Sequence, residues 1–236
     1  MILRSVTRHV KDQNWFAVGI DFAIVVVGVF IGIQVANWNA MQTERDQAQR
    51  TLSAVLTDLV TLREELVAGK QHHLEAATSI DTLLSALEAA EQISPERAKG
   101  VLKEASTITV LPTPPAALDE LLVGARLDLL GLIPLRDALR DLADSSKSGA
   151  RFQTESLRIF NAALDEIYPH ATILRTPGLA VRSYDISDVD IDAIWSSATA
   201  RVAMTKFYVF HSNQWRAMQG LLTHIDEVFA EAQNVP

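Results

Sequence analysis

The sequence predicts an all-α protein: an N-terminal transmembrane helix continuing into an antiparallel helical bundle with short inserted helices. Three observations predict it. Residues 16–37 form one apolar run, and the chain after it carries four apolar stripes at helical spacing. Between them, residues 40–51 are good helix formers without proline or glycine, so the first helix should enter the bundle without a break.

The run comes first. From Phe16 to Ala36 only Asp21 and Gln34 are strongly polar. About 21 residues at 1.5 Å rise give roughly 31 Å, the hydrocarbon thickness of a bilayer. Trp15 and Trp38 stand about 34 Å apart on such a helix, one indole for each membrane interface. An uncleaved anchor is expected rather than a signal peptide, because tryptophan follows where a small residue should precede cleavage. Arg4, Arg8 and Lys11 precede the span against Asp12 alone, whereas Glu44, Arg45, Asp46 and Arg50 balance after it. The positive-inside rule then makes residues 1–15 cytoplasmic, 16–37 the single span of an inner membrane, and 38–236 an extracytoplasmic (periplasmic or extracellular) domain.

Within the anchor, Gly28 and Gly32 make a small-xxx-small pair that Ala36 extends by a turn, a face on which two helix backbones can approach in lipid. Asp21 lies about 7 to 9 Å in from the cytoplasmic end. It is either hydrated near the interface or turned toward another helix. Gln34 is about 160° around the helix from Gly32 and belongs to another face. Asp21, Gly28, Gly32, Gln34 and Ala36 are the candidate association residues, and Trp15 and Trp38 the interface residues.

The stretch Asp21 to Asn39 resembles the anchor of a bacterial single-span membrane family of unknown function. That anchor carries an acid, a branched aliphatic run with a glycine, then glutamine and a closing Asn-Trp-Asn. Asp21, Gly28, Gln34 and Asn37 to Asn39 stand in those places. Aspartate replaces the family's glutamate, and alanine replaces a second asparagine before Asn37. A looser likeness joins Leu118-Asp119-Glu120-Leu121 to Leu135-Arg136-Asp137-Ala138-Leu139. The resemblance implies location and a helical extracytoplasmic domain, with no activity to carry over.

The four stripes follow. Leu52, Val55, Leu59, Leu62 and Leu66 form the first, with Gly69 as its expected stop. Leu74, Ala77, Ile80, Leu84 and Leu87 form the second. Leu157, Phe160, Leu164 and Ile167 form the third, ending near Pro169. Ala203, Phe207, Phe210, Gln214, Leu221, Ile225 and Val228 form the fourth. Between the second and third, Thr107–Leu111 is β-prone, and Thr113-Pro114-Pro115 reads as a capped helix start. Gly124 and Gly131 read as helix stops, and Pro134 opens a short helix to about Ala143. Residues 145–149 and 175–192 read as loops.

Composition narrows the function. The first 37 residues hold three basic and two acidic side chains, so the remainder carries 18 basic and 27 acidic, a charge of −9. Such a domain lacks the basic surface that nucleic acid requires. The absence of cysteine excludes thiolate metal sites and a cysteine nucleophile. Asp188, Asp190 and Asp192, after Asp185, have the first spacings of a calcium loop. Ala193 and Thr199 occupy the positions that need glycine and glutamate, so a solvated turn with Val189 and Ile191 inward is expected. His72 and His73 point about 100° apart on a helix, and His211 and His224 are 13 positions apart, so each reads as a surface or packed residue. Phe207, Tyr208, Phe210 and Trp215 read as core.

No catalytic, cofactor or metal site is expected. The leading expectation is a non-enzymatic, membrane-anchored module whose partners are the lipid bilayer and either a second copy or another membrane protein, with no nucleic acid. A small-ligand sensor relaying through a separate membrane partner and a divalent-metal enzyme using residues 185–192 are the alternatives.

Overall fold

The computed structural model describes residues 15–123, 127–175 and 184–234. Residues 1–14 of the expected N-terminal segment 1–15, with its basic residues, the stop at Gly124 and most of the Thr-Pro-Gly loop lie outside them. The fold is all-α with one two-stranded hairpin. Helix α1 runs unbroken from Trp15 to Glu88, 74 residues, and contributes to both compact units, residues 1–50 and 51–236. It is long and apolar enough near its start to cross a membrane.

Gly69 does not end α1, contrary to expectation. A mid-helix glycine costs only about 1 kcal/mol relative to alanine, and here its bareness is used. A Cβ at Gly69 would lie 2.9 Å from the Sδ and Cε of Met218 and 3.1 Å from Cγ2 of Thr109. The helix stops instead at Ala90, whose φ of 55° is left-handed. The Ala90 N–H donates to Leu87 O and the Glu91 N–H to Ala86 O, the paired bonds of a Schellman cap.

Helix α2 (Pro95–Ser106) is capped by Ser94 Oγ, which accepts from the Arg97 N–H. An extended strap, residues 107–115, leads to α3 (Ala116–Leu122), and Pro115 rather than Thr113 stands at its cap. The β-prone run 107–111 forms no strand among the described residues, because helix side chains take its hydrogen bonds, as shown below. A 3-10 turn, Asp128–Leu130, ends at Gly131 with φ 71°. Helix α4 (Ile133–Ile167) then runs 35 residues without the expected loop at 145–149. Nothing there removes a backbone donor. Ser146 Oγ returns its hydroxyl to Leu142 O, and Lys147 pairs with Asp119 of α3 at 3.1 Å.

A 3-10 turn, Tyr168–His170, leads into the antiparallel hairpin of β1 (Ala171–Arg175) and β2 (Tyr184–Val189), where only a loop is expected from sequence. Its register shifts between Thr172 and Ile173, a bulge. Asp190 caps α5 (Ile191–Ser196) through the Ala193 N–H, and Ser197 caps the last helix, α6 (Ala198–Gln233).

Two apolar cores are strung along the second unit. One gathers Ile80 and Leu83 of α1, Leu102 of α2, Phe160 and Ile167 of α4, Ile186 and Val189 of the hairpin, and Met204 and Phe207 of α6. The other gathers Leu52 to Leu66 of α1, Leu118 and Leu121 of α3, Leu135 to Leu142 of α4, and Met218 to Val228 of α6. The early parts of α1 and α4 thus share a core with the late part of α6. Helix α6 runs antiparallel to both, while α1 and α4 run parallel. The segment from α2 to the 3-10 turn returns the chain along the bundle between them. Arg63–Asp226 (2.8 Å) and Lys70–Gln219 (2.9 Å) tie α1 to α6 on the surface.

Candidate functional site

The junction of the two cores is polar. His73 on α1 and His211 on α6 are fully buried, and their Nδ1 atoms stand 2.8 Å apart. Each ring also reaches the return segment. His73 Nε2 donates to Thr109 O at 2.8 Å, and His211 Nε2 donates to Ala105 O at 2.9 Å. His72, half-buried beside them, donates from Nε2 to Thr107 O at 3.1 Å. Three carbonyls, each two residues after the last, thus take three imidazole N–H groups.

Both chain segments make this arrangement possible. Ala105 lies in the last turn of α2, where helix carbonyls have no partner within the helix. Thr107 and Thr109 lie in the strap, where an extended backbone presents alternate carbonyls to one side. Leu111 N–H donates to Gln153 Oε1 of α4 at 3.1 Å, fastening the far end of the run. The slot at Gly69, one helical turn before His73, lets Thr109 and Met218 close over α1.

Aromatic rings wall the pair. Phe210 packs edge-on to His211 at 5.2 Å and to His73 at 6.0 Å, and Phe160 lies 4.5 Å from Phe210 and 6.2 Å from His211. Phe207 and Phe210 are core as expected, whereas Tyr208 is partly exposed and Trp215 half-buried. Burial in this apolar wall pushes the His211 imidazole down to about 4, against the Ala105 hydrogen bond that favours its charged form and with the His73 and His72 rings lowering it further. Burial lowers His73 as well, with the Thr109 carbonyl opposing and His72 assisting. One turn beyond His211, Gln214 is buried with neither amide atom hydrogen-bonded.

Treating His72 with His73, and His211 with His224, misses this pairing. His73 and His72 bind different carbonyls, as their divergence on the helix requires. His224 instead sits at the surface with Glu227 Oε2 at 3.1 Å. The aspartates are solvated and Val189 and Ile191 buried, as expected, but they form no simple turn: Asp188 lies in β2, Asp190 caps α5 and Asp192 lies in its first turn. Among the described residues no three His, Asp or Glu side chains are placed to hold a metal ion. The side chain of Asp185 lies outside the description.

The anchor candidates are uncovered. Every residue from Gly19 to Trp38 is exposed, including Asp21, Gln34 and Ala36, and a Cβ at Gly28 or Gly32 would meet nothing within 4 Å. Trp15 opens α1, its side chain lying outside the described residues.

The chain matches no known family model, no curated protein and no solved structure.

Proposed function

We propose that this chain is a single-span membrane protein that works by association, with its own copy or with another membrane protein, through the anchor. The apolar surface of α1 carries the reading. Phe22 is 71 % and Phe30 60 % exposed, on a stretch that water would not tolerate uncovered. Lipid covers most of such a surface. The bare Gly28/Gly32 face, continued by Ala36, is where a second helix packs closely. In this reading residues 1–15 are cytoplasmic, the bundle is extracytoplasmic, and no catalytic step is involved. The resemblance of Asp21 to Asn39 to a single-span family anchor supports the same placement. The test is mild-detergent purification of the full chain after cross-linking in its membrane. Wild type should be recovered as a defined oligomer or with a distinct membrane partner. Gly28→Leu combined with Gly32→Leu should reduce that species several-fold, and unchanged assembly would sink the proposal.

A groove on the bundle favours a second reading, a small-ligand sensor. Ile159 of α4 and Val202, Thr205, Lys206, Val209 and Phe210 of α6 line an open cavity of about 250 Å³. Phe210 also packs on both buried histidines, so an occupant would touch a ring that walls the polar junction. A thermal-shift screen of apolar amphiphiles and small solutes should find a stabilising compound whose effect is lost in Val209→Lys; a blank screen counts against a sensor.

A further inference from the structure

The contact between His73 and His211 poses a counting problem. Each Nε2 faces a backbone carbonyl, which can only accept, so both Nε2 atoms carry hydrogen. The two Nδ1 atoms stand at hydrogen-bond distance, and that contact needs a hydrogen of its own. Three hydrogens are required, and two neutral imidazoles supply two. A neutral pair must leave one of the three contacts as two lone pairs facing each other. A second added proton is excluded too, because it would set two N–H groups head-on. We infer that His73 and His211 together form a binding site for a single proton, an imidazolium–imidazole pair whose occupancy decides whether the two rings can hold each other and both carbonyls, Ala105 O and Thr109 O, at the same time.

The surroundings suit a proton better than a larger cation. Two nitrogens on one tetrahedral zinc ion stand about 3.3 Å apart, set by metal–nitrogen distances of about 2.0–2.1 Å, and the 2.8 Å here is shorter. From α1 the titratable neighbour is His72; α2 and the strap contribute the Ala105, Thr107 and Thr109 carbonyls. Helix α4 contributes the ring of Phe160, and α6 contributes Phe210 and, one turn beyond His211, Gln214. Among the described residues no carboxylate acts on the pair to neutralise it. The bound charge is therefore held by carbonyl dipoles alone, and burial moves its uptake below the ordinary histidine range. When the site is empty, one of the three contacts is lost: the strap gives up an anchor or the two rings part at Nδ1. When it is filled, all three contacts close.

The experiment uses the full chain in detergent micelles, labelled with nitrogen-15 in histidine only, with ring nitrogen–proton correlations recorded from pH 7.5 to 4. The expected result is one titration shared by two rings, centred below 6.5, with both Nε2 atoms protonated at its acid end and a single strongly downfield N–H between the rings. In a second sample labelled uniformly with nitrogen-15, the backbone amides at 105–111 should shift with the same midpoint. They should stop doing so in His73→Gln, whose side-chain amide can still donate to Thr109 O. Two independent titrations at the ordinary histidine value would overturn the inference. So would one ring fixed in the Nδ1–H form throughout, or stoichiometric zinc replacing the shared signal. Should His73→Gln not fold, the wild-type ring correlations decide alone.

Discussion

At the scale of single residues, the chemistry of this chain concentrates on two side chains that are 138 positions apart in sequence. His211 has its folded value depressed to about 4 against 6.5 for the free side chain. Between those values the unfolded chain binds more protons than the folded one, so stability is complete above about pH 6.5 and falls as pH drops toward 4. One such group accounts for up to about 3 kcal/mol, and burial of His73 acts in the same direction. The shared proton offsets part of this loss. Thermal unfolding of the full chain in micelles should show a midpoint several degrees lower at pH 4.5 than at pH 7, and His211→Phe should flatten that dependence. The signal for burial was present in the sequence. His73 stands seven residues after Leu66 and seven before Ile80, inside the apolar stripe, and His211 stands four after Phe207. Periodicity shows that they are inside, but not that they meet, because no local rule relates positions on two different helices.

At the scale of elements, the long helices were legible wherever apolar spacing ran on, and their ends were not. Gly69 and residues 145–149 read as breaks because glycine and serine usually mark ends. Here the tertiary neighbours, Met218 with Thr109 in one case and Asp119 in the other, reward continuing the helix. The true stop of α1 was hidden because Ala90, not glycine, takes the left-handed position. That residue pays a conformational penalty glycine would avoid, so Ala90→Gly should raise stability by about 0.5–1 kcal/mol, measured as an upward shift of the thermal midpoint. The strap and hairpin were the reverse failure. Thr107–Leu111 is extended as its composition suggests, yet imidazoles and Gln153 replace a partner strand. Residues 171–175 and 184–189 pair across a bulge in a segment whose aspartates read as loop.

At the scale of the whole molecule, the all-α class followed from the apolar stripes, and so did a first helix long and apolar enough to cross a membrane. The order of the bundle did not follow. Short connections suggest neighbours that alternate in direction, whereas α1 and α4 run parallel and a return segment joins them. This arrangement has a consequence for synthesis. Neither core closes until α6 arrives, because that last helix supplies residues to both. At about 5–20 residues per second, the 138 positions from His73 to His211 take about 7–28 s to make. For that time the growing chain holds α1 with its apolar stripe bare, and anything that shields nascent chains has a long interval in which to act on it.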